Sequence, residues 1–173
     1  MSLVHPDRYP QTIIHQLDVT TDDTSLGQCV HHMIERASEA YHNKIAVKCC
    51  HIEFTFGELN ALANCLARAL IERGIRPGDL VCFALDRSAY LVVVLLGILK
   101  AGAAYVPIDP SFPAERIGYM LDDAKPRLMI LEARTRDILS FWKGDHFMVE
   151  KIRGSADNVN ANLQVNVGLE DLA

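Results

Sequence analysis

Apolar side chains recur at two periods along this chain, and the alternation between the two outlines a fold. Leu26, Val30, Met33, Ile34, Ala37 and Tyr41 step by threes and fours, the spacing of one helix face. Ser25 and Gln28 have the capping-box spacing that would start such a helix. Ile45 to Val47 and Ile52 to Phe54 predict two short strands around a Cys50-His51 turn. Thr55 and Glu58 repeat the capping-box spacing, in which the hydroxyl takes an orphan N–H while the carboxylate reaches back. Leu59, Leu62, Ala63, Leu66 and Leu70 form the buried face that follows. Gly74 stands where a left-handed helix cap is wanted, Ile75 lies behind it, and Pro77 blocks continuation.

Beyond the Arg76-Pro77-Gly78-Asp79 turn, Leu80 to Leu85 is continuously apolar, as expected of a strand covered on both faces of a parallel sheet. Leu91 to Leu99 has strand-favouring Val92-Val93-Val94, but its length, the Ser88 cap and Lys100 with Gly102 at the far end predict a buried helix. Ala104 to Ile108 predicts a strand, and Pro113 a first helical position ahead of Ile117, Met120, Leu121 and Ala124. Arg127 to Leu131 predicts a strand, Thr135 to Trp142 a short helix, and Phe147 to Val149 a further strand. Residues 158–167 alternate polar and apolar, which fits either a half-exposed strand or an Asn-rich connector. Residues 1–25, with His5-Pro6 and Tyr9-Pro10, are expected to form an extended arm. Strands alternating with helices indicate an α/β fold of right-handed βαβ units, with a mostly parallel sheet and flanking helices.

Composition narrows the classes. The chain has 173 residues, and a domain of that size buries about 70% of the surface its unfolded chain exposes, so no staples are needed. Half the residues are hydrophobic and 23% charged, with 17 basic against 22 acidic side chains and a net charge of −5. That balance gives no whole-chain signal for nucleic acid or an anionic membrane surface. Five cysteines, an odd number, fit a reducing compartment better than a disulfide scaffold. No signal peptide is visible, and the apolar run Leu91 to Leu99 is far shorter than a membrane span. A cytoplasmic protein is expected.

Candidate chemistry is sparse. Gly97 to Gly102 has the outer glycine spacing of a phosphate loop, but Ala103 and Ala104 follow where Lys and then Ser or Thr are required. A helix C-terminus with a packing glycine explains it better, and the dipole there repels anions. Cys29 and His32 share a helix face, with His31 and His42 near in sequence, but no second pair has metal-ligand spacing, so an incidental role is expected. Cys49, Cys50 and His51 are adjacent, and alternate strand residues point to opposite faces. Gly154-Ser155-Ala156 is no nucleophile elbow, and Asp122-Asp123 reads as solvated surface. Asp86-Arg87-Ser88 follows a strand's carboxyl end, where open α/β sheets place ligands; otherwise Ser88 is an N-cap and Arg87 a surface cation. No catalytic, cofactor-binding or metal residue can be assigned from these patterns.

Two segments resemble a known family. Phe54-Thr55-Phe56-Gly57-Glu58-Leu59-Asn60, continuing to Ala63-Asn64, is similar to the first core motif of nonribosomal peptide synthetase adenylation domains. Leu99-Lys100-Ala101-Gly102-Ala103-Ala104-Tyr105-Val106-Pro107-Ile108-Asp109-Pro110 resembles their second. Gly78-Asp79, Arg87-Ser88 and Pro113-Ala114-Glu115-Arg116-Ile117 fall where that family has similar residues, and the similarity covers about residues 28–131. The resemblance implies the first part of the N-terminal domain of an adenylate-forming enzyme. It further implies ATP-dependent activation of an amino acid with magnesium, then transfer to a phosphopantetheine thiol on a carrier domain. Residues 26–173 would be an incomplete AMP-binding subdomain, stopping just before the family's phosphate-binding loop, whose lead-in resembles Glu170-Asp171-Leu172-Ala173. A fragment so bounded is expected to be inactive alone, with the remainder of the domain and a carrier domain as its partners. Two alternatives stay open: a non-catalytic interaction module pairing through an open sheet edge, and a fragment of an acyl-CoA ligase or β-alanyl-amine synthetase.

Overall fold

The computed structural model describes residues 13–14, 29–152, 161–163 and 165. Helix α1 (Val30–Ala40) leads into an antiparallel hairpin, β2 (Ile45–Cys49) and β3 (Ile52–Thr55), with the two-residue strand β1 (Ile13–Ile14) paired antiparallel to β2. The hairpin turn is made by Cys50, whose φ of 55° is left-handed. Then follow α2 (Phe56–Glu72), β4 (Leu80–Ala84), α3 (Ala89–Lys100), β5 (Ala104–Pro107), α4 (Ala114–Ala124), β6 (Leu128–Leu131), α5 (Ala133–Ile138), β7 (His146–Met148) and a 3-10 turn at Val149–Ile152. The last four strands form a wholly parallel sheet in the order β5-β4-β6-β7. The expected α/β architecture is therefore present, with a small antiparallel sheet beside the parallel one.

Alternation along β4 and β6 divides the core in two. Val81, Phe83, Leu128 and Ile130 face the cluster built by α2 and α3, whereas Cys82, Ala84, Met129 and Leu131 face Ile117 and Leu121 of α4 with Leu139. Both faces are covered, which is why these strands read as unbroken apolar runs. Helix α2 starts and stops as its sequence predicts. Glu58 N–H donates to Thr55 Oγ1 at 3.2 Å, and Thr55 N–H donates to Glu58 Oε2 at 2.8 Å. At the other end Gly74, at φ 87°, lets Ile75 N–H reach Leu70 O (3.1 Å) and Gly74 N–H reach Ile71 O (2.9 Å), a Schellman closure.

Several expectations need correction. α1 begins at Val30 behind an extended Cys29, and Ser25, Leu26 and Gln28 of the anticipated capping box lie outside the described residues. Its apolar stripe is only partly inward: Ala37 is buried, but Val30, Met33 and Tyr41 are exposed. The helix is instead turned so that Glu35 meets the buried ammonium of Lys100 on α3. Pro113 is the cap of α4 rather than its first helical residue, because its ψ of 141° is extended. Ser88 occupies the cap position of α3 but makes no side-chain capping bond. The helix expected over Thr135 to Trp142 runs over Ala133–Ile138, with Glu132 at its cap position. Residues 161–163 and 165 are not in a strand. No helix among the described residues is long and apolar enough to cross a membrane.

Candidate functional site

From β4 the chain moves one way to β5 through α3, then returns across β4 to β6 through α4. The reversal places a topological switch between β4 and β6, where open parallel sheets form a crevice at the strand carboxyl ends. Here the Asp86-Arg87-Ser88 loop after β4 meets Glu132 and the first turn of α5 after β6. Asp86 N–H donates to Glu132 Oε1 at 2.7 Å, the Arg134 guanidinium bonds the Asp86 carboxylate, and Thr135 Oγ1 donates to Ala84 O at 2.7 Å. These bonds tie the β4 loop to the segment after β6 at the mouth of the crevice.

Beside it, over the ends of β4 and β5, lies a pocket of about 570 Å³. Phe83, Leu91, Ile108 and Phe112 contribute its apolar walls, and Asp86 and Arg134 stand at its margin. Asp109, also lining it, is held below the usual carboxylate range by hydrogen bonds from Ser111, with the Arg87 charge adding to them. Asp86 with Arg134 and Asp109 with Ser111 and Arg87 therefore act on one another. Such a site offers burial and shape. These residues do not fit a nucleotide triphosphate, which needs several donors aimed outward at its oxygens.

The other sequence candidates separate in space. Gly97 to Gly102 ends α3: Ala103 N–H closes on Ile98 O at 3.1 Å, and Gly97 lies against Leu66. Cys49 is buried on β2 while Cys50 and His51 are exposed on the turn, so the three do not converge. Asp122 and Asp123 are exposed on α4, and Gly154-Ser155-Ala156 lies outside the described residues. Around α1, His42 is diverted to lie over Gly57, but Cys29, His31 and His32 come together, with donor atoms within 4.8 Å of one another. His31 is lowered to about 4 by burial first and by His32 second.

Two polar features went unread in the sequence. Lys100, 1% exposed at its side chain, is paired with Glu35, and burial pulls its ammonium down while the carboxylate restores part of the loss. Asn60, Asn64 and Arg68 stand one turn apart on α2: Asn60 Nδ2 and Asn64 Nδ2 donate to Asn162 Oδ1 at 2.9 and 3.0 Å, and Arg68 donates to Ala161 O at 2.6 Å. The i, i+4, i+8 polar stripe was the available signal, hidden because Asn60 and Asn64 lay inside an apolar-faced motif.

With this geometry in view, residues 34–168 match the family model described as AMP-binding enzyme. The chain belongs to that family. It is 38% identical over its whole length to a PKS-NRPS hybrid synthetase of Aspergillus candidus, and 52% identical over 58% of its length to N-(5-amino-5-carboxypentanoyl)-L-cysteinyl-D-valine synthase of Penicillium rubens. It spans 7% and 3% of those proteins. Among solved structures it resembles the nonribosomal peptide synthetase FmoA3 in its α-methyl-L-serine-AMP-bound form, with TM-score 0.75 and 26% identity over 84% of this chain and 16% of that one. VinN, at TM-score 0.77 and 24% identity over 85% of this chain and 41% of that one, shares the fold. In this member of the family the first motif is the capped start of α2. The second is the α3–β5 junction, where Gly102 at φ 79° lets Gly78 N–H reach Gly102 O (3.0 Å) and Ala104 N–H reach Asp79 O (2.9 Å). Both are framework.

Proposed function

We propose that this chain is the opening portion of the N-terminal region of an amino-acid-activating adenylation domain, and that it serves there as scaffold rather than as catalyst. In the intact protein a carboxylate would attack the α-phosphate of ATP, giving an acyl-adenylate and releasing pyrophosphate; the acyl group would then pass to a carrier-borne phosphopantetheine thiol as AMP leaves, with magnesium neutralising phosphate charge. The observation that carries the scaffold role is the pairing at the switch point: Asp86 bonds Arg134 through its carboxylate and Glu132 through its N–H, which ties the β4 loop to the start of α5. The remainder of the adenylation domain and a carrier domain are its proposed partners, and the edge positions of β5 and β7 suit strand addition by another segment. Residues 26–173 are taken as one incomplete subdomain. Five cysteines without a disulfide suit a cytoplasmic setting.

Amino-acid-dependent pyrophosphate exchange tests this in two arms. The purified chain alone should give only background, and robust exchange would refute the scaffold role. A chimaera carrying this chain in place of the matching stretch of a related adenylation domain should retain exchange; a folded but inactive chimaera would count against the family assignment of its activity.

A further inference from the structure

We propose that Cys29, His31 and His32 bind one borderline-soft metal ion, of the zinc class, at the start of α1. The three donor atoms all lie within 4.8 Å of one another, whereas tetrahedral zinc, with bonds of about 2.0–2.3 Å, holds its donors about 3.3–3.7 Å apart. Cys29 and His32 are only half-buried, so modest side-chain rotation is sterically open to them and would close that gap.

Convergence of the rings is the second observation. Successive residues on a helix diverge by about 100°, yet the His31 and His32 ring centroids are 4.2 Å apart. Cys29 precedes the helix in extended conformation, and its sulfur lies within 4.8 Å of a ring nitrogen of each imidazole. One thiolate and two imidazoles select zinc, cobalt(II) or copper(I) over magnesium, whose preference is for oxygen. The site is therefore chemically distinct from any magnesium that accompanies ATP. The helix N-terminus opposes a cation but favours the thiolate that would bind it, and water can take the fourth tetrahedral position. Bound metal would pin the start of α1 where the chain enters the domain.

Cobalt(II) titration of the full, metal-stripped chain provides the test. One equivalent should produce a thiolate-to-cobalt charge-transfer band and the intense visible bands of tetrahedral cobalt, and zinc should displace it. Cys29→Ser keeps a cap-competent side chain, and His32→Asn alters a half-buried ring, so both variants should retain native circular dichroism. Each should weaken binding by more than about 100-fold, beyond the 10- to 100-fold cost of losing a mere supporting group. Cys50→Ser and His51→Asn, on the exposed hairpin turn, should leave the titration unchanged. Absence of the charge-transfer band in the native chain, or binding indifferent to Cys29→Ser and His32→Asn, or loss that follows the hairpin variants instead, would overturn the site.

Discussion

Gly97 of α3 lies so close to Leu66 of α2 that a Cβ added to the glycine would stand 2.7 Å from Leu66 Cδ2. The glycine is there to let two helices approach, and the contact joins the two motif-bearing parts of the chain. Gly97→Ala should destabilise the protein by about 1–3 kcal/mol through overpacking, although alanine is the better helix former. Leu66→Ala alone should cost about 2–5 kcal/mol, and the double variant less than the sum. Urea unfolding of the four proteins gives the coupling; strict additivity would show that the two side chains do not compete for one space.

The Lys100–Glu35 pair decides the orientation of α1. Lys100→Met should destabilise by about 3 kcal/mol, because it leaves Glu35 without its partner at a mostly buried position. Adding Glu35→Gln should recover a large part of that loss. A thermal-unfolding double-mutant cycle measures it, and equal losses in the single and double variants would remove the pair from the energetics.

Thr55 and Glu58 cap α2 reciprocally. Thr55→Ala should cost about 1 kcal/mol and Thr55→Ser much less, since serine accepts the same N–H. Chemical denaturation distinguishes the two variants.

Cys82, fully buried on β4, has its thiol pushed up to about 12 by burial. Unfolded, it titrates near 8.5–9, so the unfolded chain releases this proton first as pH rises. The stabilisation is complete below about pH 9 and falls between about pH 9 and 12 by roughly 1.4 kcal/mol per unit from this one group. Cys82→Ala should flatten the alkaline limb of a stability profile. In the native protein at neutral pH, iodoacetamide should label the exposed Cys50 and spare Cys82.

Local signals were read correctly where a local interaction decides the outcome. The α2 boundaries follow from Thr55, Glu58 and Gly74, and β4 follows from an apolar run that both faces need. The Asp86-Arg87-Ser88 loop was placed at the right end of the sheet for the same reason. Less legible were Glu132 and Arg134, separated from Asp86 by nearly fifty residues and joined to it only by strand order. Likewise the apolar stripe of α1 misjudged its inward face: Ala37 is buried and Glu35 meets Lys100 of α3, whereas Val30 and Met33 are exposed. Spacing likewise could not place the His31 ring, which lies beside His32 and near Cys29.

Short-range chemistry written in the chain thus determined the helix caps, the strand runs, the α/β class and the family motifs, since each depends on residues within a few positions. Tertiary structure alone decided which strands are neighbours, that Asp86 pairs with Glu132 and Arg134 across the switch point, and which face of α1 turns inward. Those outcomes depend on groups brought together across tens of residues, where a charge taken out of water must find its partner.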